Sequence, residues 1–87
     1  MVVFYLKDHE LSKTDAARFK NNIENYFGGK LDANEFEENG KVLFIPPDNP
    51  RLESIRVTVP DDKADDAREL CRKAFGFIER ELPPTAL

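Results

Sequence analysis

An 87-residue chain with 40% hydrophobic residues, including seven phenylalanines, contains enough apolar material for one domain with a modest core. Its net charge of −4 means that the chain as a whole repels phosphate backbones and anionic membranes. A single cysteine, Cys71, excludes an intramolecular disulfide and a cysteine-rich metal site. Because no apolar run approaches the ~18 residues of a membrane span and the first residues do not resemble a signal peptide, we expect a cytoplasmic protein.

The chain begins with a predicted strand over residues 2–7, whose sequence VVFYLK is apolar on both faces. A helix is predicted to follow Ser12, because Ser12 and Asp15 have the spacing of a capping box in its aspartate form. The apolar residues of this helix fall on one narrow stripe at helical spacing, which consists of Ala16, Phe19, Ile23, Tyr26 and Phe27. Gly28-Gly29 is expected to end it.

The next predicted element is a hairpin with strands near residues 33–38 and 41–46. Asn39-Gly40 predicts a two-residue type I′ turn, since both residues tolerate the positive φ that this turn needs. The turn divides the strand residues between two faces, which carry Phe36, Leu43 and Ile45 on one side and Glu35, Glu37, Val42 and Phe44 on the other. We expect the face with Phe36 to point into the core.

A proline-rich turn over residues 46–50 leads to a last predicted strand, Leu52 to Val59, in which apolar residues alternate with polar ones. The second helix is predicted from Asp61 or Asp62 to about Leu82, before Pro83-Pro84. Gly76 is expected within the polar face of this helix, as a tolerated glycine or as a point where another backbone approaches.

The predicted order is therefore β-α-β-β-β-α in a single domain, residues 1–87, with residues 82–87 as a frayed tail. The simplest architecture is a two-layer α+β fold, in which two helices pack on one face of a four-stranded, mostly antiparallel sheet. The alternative is a three-layer sandwich, in which the second helix crosses to the far face of the sheet.

The residues that could act in catalysis or bind a metal have ordinary structural explanations. His9 lies in a predicted loop with no nucleophile placed near it by sequence, and Cys71 lies in the apolar stripe of the second helix. The aspartates at positions 61, 62, 65 and 66 occupy a first helical turn, where the helix dipole favours negative charge. We therefore predict no catalytic residue, no metal site and no cofactor.

If both helices cover one face of the sheet, the apolar side chains on its other face require a second cover. The predicted surface comprises Val3, Tyr5, Val42 and Phe44, with a charged rim of Glu35, Glu37 and Arg56. We predict a non-enzymatic protein-binding accessory or regulatory module that acts through this open face, as a homodimer or as a subunit of a complex. Nucleic acid, membrane and small-molecule partners are not expected. The alternative is an acidic inhibitor, a phosphate mimic for a nucleic-acid-binding protein.

Overall fold

The computed structural model describes residues 1–47 and 54–83. The elements in this part of the chain are β1 (Val2–Leu6), β2 (His9–Ser12), α1 (Lys13–Asn21), β3 (Lys30–Asp32), β4 (Asn34–Glu38), β5 (Lys41–Ile45), β6 (Ile55–Val59), α2 (Ala64–Phe75) and β7 (Arg80–Leu82). The strands form a four-stranded sheet, in the order β3-β6-β1-β7, and a three-stranded sheet, in the order β2-β5-β4. All their pairings are antiparallel. The α+β class is confirmed, but two sheets replace the single sheet expected.

Helix α1 begins as predicted, because the hydroxyl oxygen of Ser12 accepts a hydrogen bond from the backbone N–H of Asp15 at 3.1 Å. After α1, one π-helical turn spans Asn22–Tyr26, and the N–H of Phe27 donates to the carbonyl of Asn22 at 3.0 Å. This wider turn changes the rotation per residue, so Tyr26 leaves the apolar stripe and is 74% exposed. The predicted apolar stripe is confirmed for Ala16, Phe19 and Ile23, which are buried.

The predicted hairpin is confirmed in both its turn and its register. Asn39 and Gly40 have φ values of 53° and 75°, as a type I′ turn requires. The strand partners are those expected from the two-residue turn, with Glu38 opposite Lys41, Glu37 opposite Val42, Phe36 opposite Leu43 and Glu35 opposite Phe44. The local turn chemistry therefore fixes the pairing of β4 with β5.

Strand β6 alternates as predicted, with Ile55, Val57 and Val59 fully buried. The predicted beginning of this strand at Leu52 lies outside the described residues, as do most of the proline-rich turn and the predicted tail after Pro83.

The predicted end of the second helix is wrong. A short 3₁₀ turn spans Asp61–Lys63, and α2 ends at Phe75 instead of continuing to about Leu82. Gly76 is the residue that ends the helix: its φ is 88°, and its N–H donates to the carbonyl of Arg72 at 2.8 Å. The chain then forms β7, which pairs with β1 through Val3 opposite Leu82 and Tyr5 opposite Arg80.

Contacts with α2 and β1 hold the three-residue strand β7 in place. The guanidinium of Arg68 donates from Nε and Nη2 to the two carboxylate oxygens of Glu81, at 2.8 Å each. The guanidinium of Arg80 lies 4.3 Å from the ring centroid of Tyr5. The N–H of Glu79 donates to the carbonyl of Tyr5 at 2.9 Å. Long-range side-chain contacts thus stabilise a strand that is too short to be stable by itself.

The two sheets and the two helices share one hydrophobic core. Three of its phenylalanines come from different elements: Phe19 of α1, Phe44 of β5 and Phe75 of α2. The rings of Phe19 and Phe75 have centroids 5.1 Å apart, and the ring of Phe44 lies 6.3 Å from each of them. Because Phe19 and Phe75 both contact the face of β5 that carries Phe44, both helices lie on the same side of the three-stranded sheet.

This packing corrects the predicted orientation of the hairpin. Val42 and Phe44, which were predicted on an open face, are 4% and 0% exposed. Leu43 and Ile45 point to the opposite face and are half-buried, and Phe36 on the same face is 60% exposed. The inner and outer faces of the hairpin are therefore reversed relative to the prediction, because the helices cover the side on which Phe44 lies.

A pair of substitutions tests the orientation of the hairpin. Phe44→Ala removes a ring from the core and should lower the free energy of unfolding by about 3–5 kcal/mol. Phe36→Ala truncates an exposed ring and should change it by no more than about 1 kcal/mol. Urea denaturation followed by circular dichroism measures both values. Equal losses, or a larger loss for Phe36→Ala, would contradict the observed faces.

A second prediction concerns the ion pair between Arg68 and Glu81. The hydrogen bonds from Arg68 lower the pKa of Glu81, so this carboxylate stabilises the fold at neutral pH. Glu81→Gln should therefore lower the free energy of unfolding by about 0.5–1 kcal/mol above the ordinary glutamate pKa of about 4.3. The difference should disappear as the pH falls through the lower pKa of the folded protein.

Denaturant titrations of wild type and Glu81→Gln between neutral and acid pH measure this difference. Glu69→Gln, at an exposed position of α2, is the control and should show a much smaller change. A difference between Glu81→Gln and wild type that grows towards acid pH would show that the ion pair does not stabilise β7.

Candidate functional site

The structure does not bring the predicted site residues together on one surface. Two of them, Val42 and Phe44, lie in the core. The others are divided between the outer face of the four-stranded sheet, with Val3, Tyr5 and Arg56, and strand β4 of the three-stranded sheet, with Glu35 and Glu37. A single open face made of β1 and β5 therefore does not exist, because these strands belong to different sheets.

On the outer face of the four-stranded sheet, Tyr5 lies between two arginines. Arg56 of β6 and Arg80 of β7 are its direct cross-strand partners. The Arg80 guanidinium stacks over the Tyr5 ring, and both Tyr5 and Val3 are half-buried. The predicted apolar surface on β1 is therefore partly covered by the chain itself, in contrast to the open face expected.

The outer face of the three-stranded sheet carries the apolar surface that sequence reasoning assigned to the core. We call Phe36, Leu43 and Ile45 the outer patch. Phe36 and Leu43 are direct cross-strand partners, and Ile45 is the next residue along β5 on the same face. Glu10 of β2 lies opposite Leu43, and its carboxylate is 3.5 Å from the Lys41 ammonium. An exposed aromatic ring with aliphatic neighbours and a charged rim has the composition of a protein-binding surface.

Strand β4 forms one edge of the same sheet and is exposed at all five residues. Glu35 and Glu37 lie on its inner face, where they meet two lysines of α1. The Lys20 ammonium is 3.0 Å from the Glu35 carboxylate, and the Lys13 ammonium is 3.0 Å from that of Glu37. The hydrogen bond with Glu35 raises the pKa of Lys20. Because both glutamates remain at least 40% exposed, these ion pairs do not close the edge to a partner.

His9 and Cys71, the two described residues considered above for catalysis, both lie in or beside the hydrophobic core. The imidazole of His9 lies 5.4 Å from the ring of Phe75, at the margin of the aromatic core. Cys71 is fully buried, and burial raises the pKa of its thiol to about 12, so the reactive thiolate is scarcely populated at neutral pH. Among the described residues, no cluster of three or more histidine, cysteine or carboxylate side chains is placed to hold a metal ion.

The acidic residues at the beginning of α2 are interleaved with positive charges. Asp61 lies 3.0 Å from the amino group of Met1, and Asp65 lies 2.7 Å from the Arg68 guanidinium. These pairs reduce the negative potential that a phosphate mimic would present. Within residues 1–47 and 54–83, no helix is both long and apolar enough to cross a membrane.

A groove between α1 and α2 was not predicted from the sequence. It has a volume of about 320 Å³, and its lining comprises Leu11, Asp15, Arg18, Phe19, Leu70, Lys73 and Ala74. The carboxylate of Asp15 lies 3.7 Å from the Arg18 guanidinium, so the rim carries mixed charge and indicates no particular ligand. The groove arises from the packing of two helices, and no residue spacing in the sequence signals it.

The outer patch and the adjoining edge strand β4 are therefore the best candidate for a functional surface. Sequence reasoning missed the patch because it placed the Phe36 face inside. The sequence did contain a sign of this exposed patch. The apolar strand β5 pairs with β4, in which Phe36 is the only apolar residue. The comparisons with known proteins return no match, whether to a family model, to a curated protein or to a solved structure.

Proposed function

We propose that this chain is a non-enzymatic protein-binding module, an accessory or regulatory subunit whose partner docks on the outer patch. The observation that supports the proposal is the 60% exposure of Phe36 beside the half-buried Leu43 and Ile45, on the side of the sheet opposite to both helices. Fully covering one exposed side chain of this kind is worth ~1.5–3 kcal/mol; Phe36 is 60% exposed, whereas the half-buried Leu43 and Ile45 have less surface left to bury. A partner that buries the patch gains this free energy without any rearrangement of the core.

The outer patch by itself is too small for a stable interface, whether the partner is a second copy or a different protein. A stable interface buries ~800 Å² on each partner, whereas an aromatic side chain contributes ~150–250 Å². Three side chains, two of them half-buried, supply only part of that area. The interface therefore extends to the surroundings of the patch, and exposed strand β4 is the adjoining element.

The acidic phosphate mimic is the less supported function. Its acidic groups on α2 and β4 are partly paired with neighbouring cations, as described for Asp61, Asp65, Glu35 and Glu37. The two functions differ in their salt dependence. Binding through the outer patch loses little apolar free energy with added salt and only a modest amount from any charged contacts at its edge, whereas a phosphate mimic loses affinity steeply as its many charges are screened.

The chain offers a matched pair of exposed phenylalanines for a test of the outer patch. Phe36 is 60% exposed within the patch, and Phe77 is 57% exposed just after α2. Phe36→Glu places a charge in the proposed interface and should weaken partner binding at least tenfold, which corresponds to about 1.4 kcal/mol. Phe77→Glu changes an equally exposed ring elsewhere and should leave binding unchanged.

The measurement begins with tagged wild type and both variants, purified from cells that express the protein natively. Proteins that co-purify with wild type and Phe77→Glu but not with Phe36→Glu are then purified and titrated directly. Sedimentation of the wild type shows whether a second copy is itself the partner. A partner that binds Phe36→Glu as well as wild type, with steep salt dependence, would contradict the outer patch and favour the phosphate mimic.

A further inference from the structure

The backbone of β4 has hydrogen-bonding groups directed away from its sheet. In a hairpin with a two-residue turn, the residues that flank the turn exchange both backbone hydrogen bonds, and every second pair after them does the same. The register of β4 with β5 therefore uses the backbone groups of Asn34, Phe36 and Glu38. The N–H and C=O groups of Glu35 and Glu37 point to the free edge, where every residue of β4 is exposed.

The side chains of β4 disfavour its pairing with a second copy of itself. Two copies of β4 can pair in an antiparallel, two-fold symmetric way with the two Phe36 residues opposite each other. In that register, Glu35 of each copy lies opposite Glu37 of the other copy. A pair centred on Glu35 or on Glu37 places that glutamate opposite its own copy. Since like charges directly opposite each other destabilise a sheet, each of these registers is disfavoured. Within residues 1–47 and 54–83, no strand pairs with this edge of β4, so the edge is open to an added strand while its own sequence is disfavoured.

The same cross-strand rule specifies the segment that fits. Directly opposite residues share a face of the sheet, so a basic residue in the partner belongs opposite each of Glu35 and Glu37. Their carboxylates are accessible, with side chains 40% and 54% exposed despite the contacts with Lys20 and Lys13. The residue between them belongs opposite Phe36, where an apolar side chain extends the outer patch.

We propose that β4 accepts an extended segment of its partner as a fourth strand, and that this segment reads basic, apolar, basic at successive positions. Main-chain hydrogen bonds with Glu35 and Glu37 provide affinity, and the alternating side chains provide specificity. The inference rests on the proposed function, because it specifies the class of partner that binds at the outer patch. It can fail while that function stands, since a folded partner can also cover Phe36 without adding a strand.

The test uses a short acetylated and amidated peptide in which lysine and valine alternate. Two control peptides have the same length: one carries glutamate in place of lysine, and the other is N-methylated at alternate residues, so that it lacks the N–H groups needed for strand pairing. Binding to the full chain is followed by NMR, with amide hydrogen exchange measured at individual residues. Only the lysine-valine peptide with a free backbone should bind.

Saturation with this peptide should slow amide exchange at Glu35 and Glu37 at least tenfold and leave Phe36, already bonded to β5, little changed. Glu35→Gln/Glu37→Gln should bind the peptide about fivefold more weakly, because two cross-strand ion pairs are lost. Equal binding of the N-methylated peptide, or no binding of the lysine-valine peptide at millimolar concentration, would overturn strand addition. The proposed function would be overturned separately, if the natural partner bound Phe36→Glu normally.

Discussion

The contact of Phe44 with Phe19 and Phe75 is the interaction on which the rest of the structure depends. It connects the three-stranded sheet to both helices, whose other buried residues contribute to the core that also covers the four-stranded sheet. The strands of the three-stranded sheet have only four or five residues each, and a small sheet of this kind gains its stability from packing its hydrophobic face. Once Phe44 points to the helices, the alternation along β5 places Leu43 and Ile45 outside. The candidate binding surface is thus a direct consequence of how the core is packed.

The features that could be predicted from the sequence are those determined by a few neighbouring residues. The hairpin register follows from the positive φ of Asn39 and Gly40, and the beginning of α1 follows from the hydrogen bond between Ser12 and Asp15. The end of α2 could not be predicted in this way, because apolar residues continue at helical spacing after Gly76. Strand β7 depends on Arg68, on Tyr5 and on the edge of β1, which are distant in the sequence.

The orientation of the hairpin could not be predicted because β5 is apolar on both faces, so its alternation does not distinguish inside from outside. The apparent guide was β4, in which Phe36 suggests the inner face and Glu35 and Glu37 suggest the outer one. The structure shows that charged residues can point inward at the edge of a sheet when a helix supplies counter-charges there. Lys13 and Lys20 do this from α1, where they lie seven residues, or two helical turns, apart.

This arrangement gives β4 an unusual combination of properties for an edge strand. Proteins commonly protect such edges with proline, with a bulge or with charges that repel other strands. Strand β4 has neither proline nor an irregular pairing with β5, and its charges are all of one sign. Glu35 and Glu37 are partly paired with Lys20 and Lys13, but like charges still disfavour a second copy and opposite charges favour a basic strand, so the glutamates distinguish between partners without blocking the backbone. The exposed ring of Phe36 would favour aggregation on an unprotected edge, and the adjacent glutamates limit that tendency while leaving the ring accessible. Under the proposed strand addition, the glutamates of β4 that suggested a phosphate mimic instead determine which strand can pair with it.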